Sequence, residues 1–184
     1  MDKKIKILGI SGSLRKESFH TKLLKAAMGM QFEDAEVGMA DISQLPLYNQ
    51  DWEANLPASV KELKDKITMS DAILFVTPEY NYSVSGVLKN AIDWASRPYG
   101  KSAWSGKPVA IMSGSVGMLG GSRAQYHLRQ MMIFLDMHPL NKPEVMVPMI
   151  QDKFDESGNL TDEATRAKVK EMIEALVVWT KKLK

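Results

Sequence analysis

The chain has 184 residues, of which 45% are hydrophobic, and its 24 basic and 22 acidic residues leave a formal net charge of +2. This near balance excludes the broad basic surface that nucleic acids or anionic membranes require. The sequence contains no cysteine, which excludes disulfides, thiolate nucleophiles and cysteine-ligated metal centres.

The sequence shows neither a signal peptide nor a membrane span. The opening residues MDKKIKILGIS lack a continuous apolar stretch, and nowhere do 18 apolar residues follow one another. A chain of this length suits one compact domain that buries roughly 70% of the surface of its unfolded form. We expect a single domain over residues 1–184, located in the cytoplasm, with no membrane or nucleic-acid partner.

Strand-like and helical patterns alternate along the whole chain. The predicted strands are 3–10, 35–42, 71–78, 108–115 and a weaker 138–147, and the predicted helices are 18–30, 57–69, 85–97, 120–136 and 162–181. Five strand-then-helix units in series predict an α/β fold, in which a five-stranded parallel sheet carries helices on both faces. Ligands in such folds bind beyond the carboxyl ends of the strands. The loops that follow the strands are therefore the candidate binding segments.

The first of these loops is rich in hydroxyl groups. Residues 8–20, LGISGSLRKESFH, begin as a strand and continue into Gly, Ser and Arg. Backbone N–H groups and hydroxyls at the start of a helix, with the charge of Arg15, predict a cradle for one phosphate monoester. Neither GxxxxGK[ST] nor GxGxxG is present, which disfavours nucleoside triphosphates and tightly held NAD. The alternative is a solvated turn in which Gly12 permits the bend and Ser18 caps the helix.

Two further loops carry features of a ligand site. In residues 77–86, TPEYNYSVSG, Tyr80 and Tyr82 can line a planar ligand, and Asn81 can meet its polar edge. Residues 113–121, SGSVGMLGG, contain four glycines, which permit close backbone approach to a ligand. The alternatives are tyrosines that merely cover the sheet edge and a flexible turn. Three such loops at strand ends favour one shared site.

Three motifs together identify a family resemblance. The segments GSLRKES, PEYNYSVSGVLKNAIDWASRP and GGSRAQYHLRQ resemble the NADPH-dependent FMN reductase family, especially its chromate and quinone reductase branch, over about residues 4–148. The resemblance implies a flavodoxin-like fold with strand order 2-1-3-4-5. It also implies noncovalently bound FMN, NADPH or NADH as co-substrate, and oligomers built from dimers, either a homodimer or a homotetramer.

The resemblance also assigns residues to the cofactor. The phosphate would be held by Ser11, Ser13, Arg15 and Ser18. The flavin ring and ribityl chain would contact Pro78, Glu79, Tyr80, Asn81 and Ser83, beside Tyr82, with Ser113, Gly114, Ser115 and Gly117 contributing from the third loop. The chain departs from the family at two positions, where Glu17 replaces a common Gly and His20 a common Asn. We expect Glu17 to face solvent and His20 to donate to the phosphate.

The implied chemistry belongs to the flavin and needs no catalytic side chain. No obligatory general acid or base is evident, and His20, His127 and His138 lack the spacing of a metal site. Hydride would pass from the nicotinamide to the flavin, and a quinone, free flavin, chromate or similar small acceptor would then take two electrons in a ping-pong sequence. The alternative is a flavodoxin-like FMN electron carrier that does not oxidise NAD(P)H. Arg15 and the near-neutral charge favour the reductase.

The aromatic residues suggest a dimer interface. Trp94, Tyr99 and Trp104 lie close in sequence and predict an aromatic patch that a monomer would struggle to cover. The alternative is a cluster that packs back onto its own domain. In the predicted helix 120–136, the residues expected in the core are Leu128, Met131, Met132 and Leu135.

Overall fold

The computed structural model describes residues 3–184, in which strands and helices alternate. The elements in chain order are β1 (Ile5–Ser11), α1 (Phe19–Gly29), β2 (Ala35–Ala40), a 3₁₀ turn (Gln50–Asn55), α2 (Ala58–Met69), β3 (Ala72–Pro78), α3 (Gly86–Ala95), β4 (Pro108–Gly114), α4 (Ser122–Phe134), β5 (His138–Pro139), β6 (Val145–Val147), a 3₁₀ turn (Ile150–Lys153) and α5 (Glu163–Leu183). All five helices were predicted, with bounds shifted by a few residues.

The sheet is parallel and has the order β2-β1-β3-β4-β5, with β6 also paired to β4. The predicted flavodoxin-like order is therefore confirmed. The fifth strand, predicted as continuous over 138–147, is instead divided into two short pieces. Pro139 and Pro143 carry no N–H to donate to the ladder, and the chain between them leaves β4 before Val145 rejoins it opposite Met112.

Two hydrophobic cores lie on opposite faces of the sheet. Alternate side chains of β3, such as Phe75 and Leu74, belong to different cores. One core is closed by α2, α3 and α4, and the other by α1 and α5. Strands β3 and β4 are buried along their whole length, as expected for central parallel strands. The result is the three-layer α/β arrangement that the sequence predicts.

The predicted aromatic surface patch is wrong. Trp94 and Trp104 are both 0% exposed, whereas Tyr99 is 79% exposed. The Trp94 indole donates to the carbonyl of Pro46 at 2.7 Å, and the Trp104 indole donates to that of Ile92 at 3.0 Å. Both rings therefore pack into their own domain because each finds an internal carbonyl for its N–H.

Helix α4 buries most of the side chains expected of it and exposes two others. Leu128, Met132 and Leu135 are buried, in agreement with the sequence pattern, and Met131 is only partly buried. Ile133 and Phe134 are about four-fifths exposed. Over the described part of the chain, no helix is both long and apolar enough to cross a bilayer.

Candidate functional site

The strand register brings the three loops singled out above to one edge of the sheet. Ser11 at the end of β1 pairs with Val76, and Pro78 at the end of β3 pairs with Gly114 at the end of β4. Neighbouring strands lie about 4.8 Å apart. The loops after β1, β3 and β4 therefore begin side by side at this edge.

The first loop contains both features that the sequence left as alternatives. Ser18 caps α1 by accepting from the backbone N–H of Thr21 at 3.3 Å, and the Ser11 and Thr21 hydroxyls are 2.8 Å apart. Ser13 is partly exposed and Arg15 is exposed. The first turn of α1 contains no acidic residue, and the carboxylate of Glu17, just before the cap, is paired with Lys22, so the positive helix end remains favourable to an anion. A capped helix and a phosphate cradle are compatible here.

Gly12 is required by a close approach between the first two loops. The Ser85 hydroxyl, which also caps α3, donates to the Gly12 carbonyl at 2.6 Å. A Cβ at position 12 would lie 3.1 Å from that hydroxyl oxygen and 3.2 Å from the Thr77 hydroxyl oxygen. A larger residue would therefore push the first loop away from β3 and α3.

The two departures from the family pattern behave differently. Glu17 is exposed and forms an ion pair with Lys22 at 2.9 Å, and the hydrogen bond from Lys22 lowers the pKa of its carboxyl group. His20 is buried, and its Nε2 lies 3.0 Å from the carbonyl oxygen of Gly114. Burial lowers the pKa of His20 below its ordinary value, and Arg15 acts in the same direction. His20 thus connects the first loop to the third.

The second loop is a tight turn with two residues in the left-handed region. Tyr80 and Ser83 exchange backbone hydrogen bonds of 3.0 Å in both directions, and Asn81 and Tyr82 between them have φ angles of 50° and 64°. This is the pattern of a type I′ turn. An aromatic residue with positive φ is unusual, and such strain concentrates at binding sites. The turn holds both tyrosine side chains on the surface.

Helix α4 holds this turn in place through contacts with three of its residues, Glu79, Tyr82 and Ser83. The Glu79 carboxylate accepts from the backbone N–H groups of Arg123 at 3.0 Å and Ala124 at 3.3 Å, and it pairs with the Arg123 guanidinium at 3.0 Å. The same guanidinium lies 3.9 Å from the centre of the Tyr82 ring. Ser83 bonds His127 at 3.0 Å. The Glu79 carboxylate is therefore engaged in capping α4.

Buried hydrogen bonds hold the third loop, residues 114–121, in its conformation. The buried Ser113 hydroxyl donates to the carbonyl of Gly120 at 2.6 Å and accepts from Gln125 at 2.9 Å. Gly120 and Gly121 have φ angles of 57° and 80°, which side chains rarely adopt. The Ser115 hydroxyl donates to the Gly117 carbonyl at 3.0 Å. Ser113 is fully buried and its hydroxyl is engaged with Gly120 and Gln125, so this side chain supports the loop from within.

The three loops expose several large apolar side chains. The side chains that are more than half exposed here are Leu14, Tyr80, Tyr82, Val116, Met118 and Leu119. Exposed apolar patches on soluble domains mark binding sites. A planar aromatic ring can cover such a surface while its phosphate occupies the hydroxyl-rich first loop. The residues present therefore fit FMN.

Sequence reasoning missed several residues that shape this edge. Thr21 supports Ser11, Gln125 supports Ser113, and Leu14 adds apolar surface. A signal existed for Gln125, since it lies on the buried face of α4 with Ala124 and Leu128, where a polar residue needs a partner. In the part of the chain that the structure describes, no group of three His, Asp or Glu side chains could hold a metal ion.

Known proteins match the chain over nearly its whole length. The family model described as NADPH-dependent FMN reductase matches residues 5–152. The chain is 49% identical to the NAD(P)H-dependent FMN reductase PA1204 of Pseudomonas aeruginosa, over 100% of both chains. It is 48% identical to the NADPH:quinone oxidoreductase of Arabidopsis thaliana, over 97% of this chain and 93% of that protein.

A solved structure agrees with these matches. FerB, a flavoenzyme NAD(P)H:(acceptor) oxidoreductase from Paracoccus denitrificans, superposes with a TM-score of 0.86 at 39% identity, and the match covers 97% of this chain and 98% of that one. Sequence and structure thus lead to one conclusion: the chain belongs to the NADPH-dependent FMN reductase family.

Proposed function

We propose that this protein is an FMN-dependent NAD(P)H oxidoreductase whose single domain passes two electrons to quinones or similar small acceptors. The observation that carries the proposal is the exposed aromatic and apolar surface beside a hydroxyl-rich loop at the carboxyl edge of the sheet. Relatives named as FMN reductase and quinone oxidoreductase support the same activity.

Different loops would bind different parts of FMN. Ser11, Ser13, Arg15 and Ser18 would hold the phosphate, with donors at the N-terminus of α1. The strained turn 80–83 and the glycine-rich loop 114–121 would hold the ring, with Glu79 acting through its cap on α4. Bound FMN would supply the two-electron chemistry, accepting hydride from NADPH or NADH and reducing the acceptor.

The open position of the site supports a ping-pong reaction. Tyr80 and Tyr82 project from the surface, so a ring held against them would keep one side accessible to a second planar molecule. The nicotinamide and the acceptor would use that side in turn, each held about 3 to 3.5 Å from the reacting atom. Chromate and free flavin are further acceptors that such an open side admits.

Anaerobic stopped-flow mixing of the FMN-loaded protein with NADPH or NADH tests this proposal. We expect rapid loss of the visible flavin absorbance, followed by reoxidation with a small quinone and parallel lines in double-reciprocal plots. An electron carrier would give a different result. It would stay oxidised for minutes with either nicotinamide and yet accept electrons from a separate flavoprotein reductase, and this outcome would refute the proposal.

A second copy of the chain is the proposed partner, and the cytoplasm is the proposed location. Ile133 and Phe134 expose apolar side chains on α4, and together with Tyr99 they supply surface for a homodimer or for a homotetramer built from two dimers. Light scattering should report a particle of at least twice 20.6 kDa. A 20.6 kDa particle at micromolar concentration would contradict the proposed oligomer.

A further inference from the structure

His20 occupies a position where the first loop, α1 and the third loop meet. It is the second residue of α1 and follows the cap residue Ser18 by two positions. Its ring is buried, and Nε2 bonds the carbonyl oxygen of Gly114, the last residue of β4. The ring therefore bridges two of the three loops at the edge that would hold FMN.

The Gly114 contact determines which nitrogen of the neutral ring carries the proton. A carbonyl oxygen can only accept, so Nε2 must donate and the proton of the neutral ring stays there. Nδ1 makes no hydrogen bond within residues 3–184. The fully enclosed side-chain atoms without partners belong to Gln125, Arg129 and Gln151, so Nδ1 keeps contact with solvent. Nδ1 is the nitrogen available to a ligand.

The charges around His20 are few. Arg15 is the charged side chain whose field acts on the ring, and it favours the neutral form. Glu17 and Lys22 pair with each other. Lys16, Lys25 and Arg166 line a cavity of about 480 Å³ that Ser18 and Thr21 also border. His20 is not among its lining residues and lies with Leu23 and Leu24 on the buried side of α1.

The remaining elements offer little charge to this side of α1. The strands packed against it, β1 to β4, end at this edge in the uncharged residues Ser11, Ala40, Pro78 and Gly114. Asp41, which follows β2, accepts from the backbone N–H of Ser43 at 2.8 Å. On the turn after β6, Asp152 is exposed and Lys153 pairs with Asp162 of the segment leading into α5. No described carboxylate therefore holds a proton on Nδ1 before a ligand arrives.

We propose that His20 binds the FMN phosphate through a protonated Nδ1, so that FMN binding by this protein takes up a proton. With Nε2 committed to Gly114, a neutral ring would present a lone pair to the phosphate, whereas the imidazolium presents a donor. The asparagine common at this position in the family has no such titration. This inference rests on the proposed placement of the phosphate at residues 11–20.

The sign of the effect follows from linkage. Burial and Arg15 lower the pKa of His20 in the free protein, and a bound phosphate dianion raises it. The contribution of His20 to FMN affinity is therefore complete below the free-state pKa and is lost as the pH rises through the bound-state pKa. The phosphate has its own second ionisation near pH 6, which favours binding at higher pH. Comparison with a His20→Asn variant removes that shared effect.

The experiment measures FMN and riboflavin affinities by fluorescence titration of wild type and His20→Asn between about pH 5.5 and about pH 8.5. We expect the affinity of wild type relative to the variant to fall with rising pH, by at most about tenfold per pH unit. Calorimetry in two buffers of different ionisation enthalpy should find proton uptake with FMN that is larger in wild type than in His20→Asn. Riboflavin, which lacks the phosphate, should show no difference.

Two control variants complete the experiment: a second histidine variant, His138→Asn, and a variant of the proposed phosphate site, Arg15→Ala. His138→Asn changes a histidine at the opposite edge of the sheet, where His138 pairs with Pro108, and it should keep the wild-type pH profile. Parallel FMN profiles for wild type and His20→Asn, with Arg15→Ala still losing FMN affinity, would overturn this inference alone. Unchanged FMN affinity in both variants would overturn the phosphate placement itself. If His20→Asn does not fold, equal proton uptake by wild type with FMN and riboflavin overturns the inference.

Discussion

Glu79 is the residue whose replacement should most directly show how the second loop depends on α4. Its side chain is 11% exposed and accepts two backbone N–H groups of α4 in addition to pairing with Arg123. Loss of a helix cap costs about 1 kcal/mol, and hydrogen bonds to a charged group contribute about 1.5 to 3 kcal/mol. Arg123 is 41% exposed, so water recovers part of the loss.

We therefore expect Glu79→Gln to lower the free energy of unfolding by about 1 to 2 kcal/mol, since the amide oxygen can still accept one N–H. Urea denaturation followed by circular dichroism measures the change. Glu62→Gln is the matched control, because Glu62 forms an exposed pair with Lys66 within α2 and should change stability by less than about 0.5 kcal/mol. Equal effects of the two variants would refute the reasoning. FMN affinity should also fall in Glu79→Gln and not in Glu62→Gln.

Three further predictions concern the phosphate loop, the glycine loop and α5. Arg15→Ala should weaken FMN by about 1.5 to 3 kcal/mol without changing riboflavin affinity, as measured by fluorescence titration, and equal losses for both flavins would remove Arg15 from the phosphate site. Gly120→Ala should lower stability by about 1 to 3 kcal/mol, because its φ is 57° and a Cβ would lie 2.8 Å from the backbone of Met146. Gly117→Ala, whose nearest neighbour is 3.9 Å away, is the control, and similar losses in both variants would contradict the explanation. The hydroxyl and N–H of Thr165 lower the pKa of Asp162. The ionised Asp162 therefore stabilises the folded protein at pH values above the ordinary carboxyl pKa, and this contribution is lost as the pH falls through the lowered pKa. Asp162→Asn should therefore flatten the decline of Tm in acid, and an unchanged slope would count against this cap.

Much of the site could be predicted from local pattern. Ser18 and Ser85 follow strands and precede helices, and both cap those helices as such positions require. The glycines before α4 predict an unusual backbone, and Gly120 and Gly121 adopt it. In contrast, the engagement of Glu79 with Arg123 joins residues 44 positions apart. No periodicity in the sequence relates two such residues, so only their packing could reveal the contact.

The core tryptophans also make contacts with distant residues that the sequence pattern does not predict. The positions of Trp94 and Trp104 predict large apolar side chains near a helix end, but they do not say which carbonyl will satisfy each indole N–H. Pro46 and Ile92 supply those carbonyls, and the rings turn inward. The fifth strand was likewise predicted as one continuous strand. Its residues alone do not show that it pairs with β4 in two separate pieces, one at Pro139 and one after Pro143.

The sequence by itself determined the alternation of strands and helices, the strand ends at which polar loops follow, and the family motifs within those loops. These features depend on side-chain periodicity and turn chemistry, which act over a few residues. The tertiary structure decided that His20 meets Gly114, that Gln125 supports Ser113, and that six apolar side chains of the three loops stay exposed. Those contacts depend on the register of parallel strands, because register sets which distant residues stand side by side at the carboxyl edge.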